Sequence, residues 1–170
     1  MVNPESPKAR AVGKPSLKAR AISLLSRREH SRVELRRKLS SHCDGPAELE
    51  ALLDSLEREN WLSHERLTQS LVNRRAPKHG WRRVMQELRQ HDLPEGDLSD
   101  AVESLQATEF ERAREVWQKK FGAAPADSKE YARHLRYMAA RGFMADTVRR
   151  VLAEVGSTMA DDLPPSDYSA

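Results

Sequence analysis

Cysteine is nearly absent: Cys43 stands alone among 170 residues. One thiol closes no internal disulfide and builds no cysteine-based zinc site, so a reducing compartment is the natural setting. Aromatics make up 5% of the chain and glycine occurs seven times. Strand patterning, in which Val, Ile, Thr and Tyr alternate with polar residues, does not occur, which argues against a sheet. No apolar run approaches the roughly 20 residues of a membrane span. The first 14 residues are basic but lack the apolar stretch of a secretory signal. Together these point to a cytoplasmic protein with no membrane association.

Ala, Leu, Arg and Glu are abundant, and these residues lose least on entering a helix. Charged residues reach 32%, with 29 Lys and Arg against 26 Asp and Glu, a formal net charge of +3. Such a mixed surface permits contact with nucleic acid or an acidic partner without requiring either.

The apolar residues recur at helical spacing. Leu17, Ala21, Leu24 and Leu25 share one face; Leu49, Leu52, Leu53 and Leu56 share another. Ser31 with Glu34, Thr108 with Glu111 and Asp127 with Glu130 read as capping boxes. Pro46 falls where a helix begins, and Gly142 where one ends near Arg141.

The pattern also repeats. A shift of 49 carries Leu35 to Val84, Leu39 to Leu88, Leu49 to Leu98, Leu53 to Val102 and Leu56 to Leu105. A shift of 50 then carries Leu88 to Met138, Leu93 to Phe143, Leu98 to Val148, Val102 to Leu152 and Leu105 to Val155. The reading is all-α: three tandem three-helix repeats, helix-turn-helix-like, over residues 16–60, 61–107 and 108–156, stacked into an elongated curved array. Residues 1–15 form a basic tail and residues 157–170 an acidic one, both expected to be disordered.

Catalytic signatures are missing. There is no nucleophile elbow, Gly-rich phosphate loop or HExxH pattern, so no catalytic, cofactor or metal residues are assigned and no small-molecule substrate is expected. The six histidines, His30, His42, His64, His79, His91 and His134, read as surface or helix-boundary residues. Cys43 reads as a partly buried loop thiol. Trp61 and Trp117 read as core. Trp81, set between Gly80 and Arg82, either packs at a helix start or offers a face for stacking.

Basic clusters recur at Arg27–Arg28, Arg36–Lys38, Arg74–Arg75, Arg82–Arg83, Lys119–Lys120 and Arg149–Arg150. With Val84 and Leu88 turned inward, Arg82 and Arg89 fall on the opposite face of one helix. Arg74, Arg75, Lys78, Trp81, Arg82 and Arg89 are the candidate partner-binding residues.

Residues 56–93 resemble the RecX family of regulatory proteins through Trp61, Glu65, Arg66, Arg75, Ala76, Lys78, Gly80, Glu87 and Leu88. Residues 28–39, 110–122 and 136–143 look similar. Asn60 and Asp92 stand where the family usually has Gly, and Leu67 where it usually has Phe. The resemblance implies three tandem three-helix repeats and a non-enzymatic regulator. Its partner would be the RecA recombinase filament, with single- or double-stranded DNA within or beside it. Its effect would be to lower ATP hydrolysis, strand exchange and coprotease action. A direct DNA-binding protein is the alternative.

Overall fold

A computed structural model of the protein describes residues 15–161, of which residues 157–161 are described as backbone only. The expected tails therefore lie mostly outside the described residues. Those residues contain nine α-helices and no strand, in three consecutive sets of three. They divide into two compact units, one ending at Leu62 and one beginning at Ser63.

The first unit holds α1 (Leu17–Leu25), α2 (Arg32–Leu39) and α3 (Pro46–Arg58). Ser16 Oγ accepts from the Ala19 N–H, and Ser31 Oγ from the Glu34 N–H at 3.1 Å. The capping box at Ser31 is completed on one side only, because the Glu34 carboxylate turns to Arg28 and His30. Ala21, Leu35, Leu39, Leu49, Leu53, Leu56 and Leu62 form the core.

Trp61 is not in that core, in contrast to its sequence reading; it is 43% exposed. The cause is the end of α3. Asn60 takes φ 59, the Asn60 N–H donates to Glu57 C=O and the Trp61 N–H to Leu56 C=O. This left-handed closure turns the chain so that Leu62, 3% exposed, is the residue that enters the core.

The second unit holds the other two sets. α4 (His64–Arg75), α5 (Trp81–Leu88) and α6 (Glu95–Ala107) close over Leu67, Leu71, Val84, Met85, Leu88, Leu93 and Leu105. α7 (Glu109–Lys120), α8 (Ser128–Ala140) and α9 (Ala145–Asp161) close over Ala113, Trp117, Met138, Phe143, Val148, Val151 and Leu152. The repeat register is visible in the cores: Leu39, Leu88 and Met138 are all at most 1% exposed.

Asp127 Oδ1 accepts from the Glu130 N–H at 2.7 Å, as its capping pattern predicts. Thr108 does not cap. It is the single residue between α6 and α7, and its hydroxyl donates back to Ser104 C=O at 3.0 Å, leaving no side-chain acceptor for the start of α7. α8 ends at Gly142, φ +83, with the Gly142 N–H on Ala139 C=O and the Phe143 N–H on Met138 C=O. α9 passes through Gly156 to Asp161, five residues into the expected tail. A lone Gly costs a helix only about 1 kcal/mol relative to Ala, too little by itself to end this one.

Two histidines are interior rather than at the surface. His30 is 3% and His134 2% exposed. His134 accepts from Trp117 Nε1 through Nδ1 at 3.3 Å and stacks on Phe121 with ring centroids 3.6 Å apart. Burial, and then the charge of Arg133, lower its pKa.

Candidate binding surface

Three arginines of the first unit, Arg28, Arg32 and Arg36, face carboxylates. Arg32 donates to Glu57, Glu50 and Asp54 at 2.6–2.8 Å, and Arg36 donates to Glu50 at 2.6 Å. Hydrogen bonds from Arg36 and Arg32 hold the Glu50 carboxyl down at about 2. Arg28 forks onto Glu34 at 3.0 and 3.1 Å. Arg20, Arg27, Lys38 and His42 instead line a groove of about 460 Å³ between α1 and α2.

The six candidate residues of the second repeat separate into different roles. Arg75 Nε and Nη2 donate to Glu87 at 2.7 and 3.0 Å, and Arg74 Nη2 lies 3.7 Å from the same carboxylate. This pair ties the end of α4 to α5. Arg82 on α5 and Arg89, the residue just past its end, are exposed on the side opposite Val84 and Leu88, which are 1% and 0% exposed. Trp81 is half-buried and packs on the core of its own repeat.

Lys78 is exposed and belongs to a separate feature. It lines a groove of about 370 Å³ together with Pro77, His79, Val116, Lys119, Lys120, Tyr137 and Arg141. The Arg141 guanidinium carbon lies 3.8 Å from the Tyr137 ring centroid, and Lys120 Nζ lies 5.5 Å from it. Phe121 meets Tyr137 edge-on at 5.1 Å. Lys119–Lys120 stands out in the sequence as a basic pair, yet no local signal links it to Lys78 or Arg141.

Two charged residues, the buried Glu109 and the half-buried Arg112, hold the α4–α5 loop against α7. Arg112 donates to Ala76 C=O at 2.9 Å, His79 C=O at 2.6 Å and Leu105 C=O at 2.6 Å. A cation at the carbonyl ends of α4 and α6 also suits their dipoles. Burial lowers the pKa of Arg112. Glu109, 4% exposed, accepts from the Trp81 N–H at 3.2 Å and from Thr147 Oγ1 at 3.1 Å. It thereby satisfies the start of α5, whose cap position is the side-chain-free Gly80. The Gly80 N–H donates to Arg141 C=O at 2.9 Å. Lys78 and Arg141 are thus carried by backbone that is fixed from both sides.

Among the described residues, no three His, Cys, Asp or Glu side chains come together as a metal site would require, and no helix is long and apolar enough to cross a membrane.

Residues 107–152 match the model of the third three-helix domain of RecX. Over 146 residues the chain is 52% identical to the regulatory protein RecX of Ralstonia pickettii, spanning 86% of this chain and 92% of that one. The chain belongs to the RecX family. A RecX regulatory protein from Pseudomonas syringae pv. tomato is 39% identical over 143 residues, with 83% and 92% covered. The crystal structure of RecX from Lactobacillus salivarius is similar in fold, with a TM-score of 0.70 at 16% identity over 83% of this chain and 95% of that one. RecX membership accounts for the tandem three-helix sets.

Proposed function

We propose that this RecX-family protein is a cytoplasmic, non-enzymatic regulator that binds the RecA–DNA filament and restrains ATP hydrolysis, strand exchange and coprotease action. The family supplies the partner. The observation that supports a contact surface on this chain is the exposed pair formed by Arg82 on α5 and Arg89 just past its end, away from the buried Val84 and Leu88. A filament carrying DNA is strongly anionic, so cations on such a face speed encounter and fix register. Arg74 and Arg75 contribute less to it, because Glu87 engages both.

The test is inhibition of the ATPase of RecA on single-stranded DNA. Arg82→Glu with Arg89→Glu should leave the helical circular dichroism intact and weaken inhibition at least about tenfold, or about 1.4 kcal/mol. Added salt should weaken the unaltered protein more than the double variant, since the altered charges are those being screened. Full inhibition by the folded double variant rules this face out.

A further inference from the structure

We infer that the groove between the α4–α5 loop and the α7–α8 pair binds a run of phosphodiesters, the backbone of a single nucleic-acid strand, through Lys78, Lys119, Lys120 and Arg141. The inference rests on the proposed filament-regulating role for where such a strand is met, but its test contains no recombinase.

The charge pattern is the first reason. Four cations from the loop, α7 and the end of α8 line the groove, and no carboxylate lines it. By contrast Arg28, Arg32, Arg36 and Arg75 each face at least one acid. Lys119 is 3.4 Å from Glu115, an exposed i,i+4 pair outside the groove lining, and such pairs contribute little. Among the described residues Lys78, Lys120 and Arg141 have no ion-pair partner. A concentration of cations without local acids favours an anion from outside.

Preorganisation is the second. The Arg141 guanidinium carbon lies 3.8 Å over the Tyr137 ring, which restricts its freedom. A guanidinium held against a ring meets a phosphate with paired N–H groups at a smaller entropic cost than a free one. The loop carrying Lys78 is pinned by Arg112 and by the Gly80 to Arg141 hydrogen bond.

The class of anion follows from the donors. Three of the four are lysines, point charges that donate to phosphate oxygens from many directions, and the fourth is a guanidinium whose fork also fits a phosphate. Charges repeat along a strand at every nucleotide, so cations from separate elements can each meet one. Pro77 and Val116 add apolar lining to this groove of about 370 Å³, against which a base can rest.

Fluorescence anisotropy of the full-length protein with a labelled oligothymidylate at low salt tests this. Lys78→Gln, Lys119→Gln and Lys120→Gln together should weaken binding at least about tenfold. They should also lower the slope of log affinity against log salt by about 2, since each single-strand phosphate contact contributes about 0.7. Arg37→Gln, Arg58→Gln and Lys129→Gln remove the same charge from exposed positions elsewhere and should change binding no more than about twofold. Equal losses in both triple variants, or no binding by the unaltered protein, overturn the inference. Displacement of the oligonucleotide by polyglutamate at equal charge would replace the strand with an acidic peptide. Should circular dichroism show the groove variant unfolded, photocrosslinking of bromodeoxyuridine DNA to the unaltered protein decides. Crosslinks within residues 119–121 or 137–141 support the groove, and crosslinks confined elsewhere overturn it. Failure of every arm leaves inhibition of the RecA ATPase to be judged by its own assay.

Discussion

Gly80 and Gly142 meet backbone to backbone. A Cβ on Gly80 would stand 2.2 Å from the Gly142 carbonyl oxygen, and one on Gly142 would stand 2.6 Å from Arg83 Cβ. The start of α5 is therefore packed into the turn that ends α8. Gly80→Ala should cost about 1–3 kcal/mol or more, because backbone rather than a flexible side chain must move. Gly142→Ala adds left-handed strain, as φ is +83. Gly96 lies within α6 with nothing near its missing Cβ, so Gly96→Ala should instead stabilise by about 0.5–1 kcal/mol. Urea denaturation of the three variants gives the order; a neutral Gly80→Ala would mean that the two glycines do not touch in solution.

Leu88→Ala should destabilise by about 2–5 kcal/mol, the usual cost of a cavity at a fully buried leucine. A denaturation midpoint that does not move would remove Leu88 from the core.

Arg112→Met keeps much of the side-chain volume but abandons three carbonyl acceptors. A loss of about 1–3 kcal/mol is expected from the unsatisfied groups. Amide exchange in residues 76–80 should speed more than in α9, which distinguishes a loop clamp from a general packing role.

Asp92→Gly should stabilise by up to about 1 kcal/mol, because Asp92 is exposed and holds a left-handed φ of 53 that glycine adopts freely. Thermal unfolding measures it. Asp92 is the counterpart of Gly142 one repeat earlier, by the shift of 50.

Stability should fall as pH drops. His134 and His30 have pKa values lowered in the folded state, chiefly by burial, so the unfolded chain binds their protons first. Their contribution is complete above the unfolded value near 6.5 and is lost progressively below it. Glu34 acts lower on the scale. Burial pushes its carboxyl up, but the Arg28 pair overcomes this and holds it at about 2, so its contribution fades as pH falls from 4.5 toward 2. His134→Gln retains an acceptor for Trp117 and does not titrate. It should flatten the thermal midpoint between about pH 7 and about pH 5. An unchanged slope would assign the titration elsewhere.

The helices and core were readable because each leaves a local or periodic mark. Ser31, Pro46, Asp127 and Gly142 announce ends, and the Leu39, Leu88 and Met138 register marks the interior. His134 was misread because histidine is usually polar surface. Yet the same shift of 50 carries Val84 onto it, so the repeat itself held the signal that its site is a core slot. Trp61 was misread because aromatic character suggests burial, while the left-handed Asn60 that turns it outward is invisible in composition. Glu109, Arg112 and the groove around Lys78 depend on partners tens of residues away. Spacing along the chain carries no trace of those pairings.

The joint between the second and third helix sets has a thermodynamic signature of its own. Each set closes over a separate apolar cluster. Polar contacts across the joint are two glycine backbones, Arg112 on carbonyls and Glu109 on the Trp81 amide. Parting them would wet mostly polar atoms. Apolar exposure raises heat capacity and polar exposure lowers it, and sensitivity to denaturant scales with the area exposed. Opening of this joint would then be nearly silent in calorimetry and urea titration, while amide exchange at Gly80 and Trp81 would register it at once.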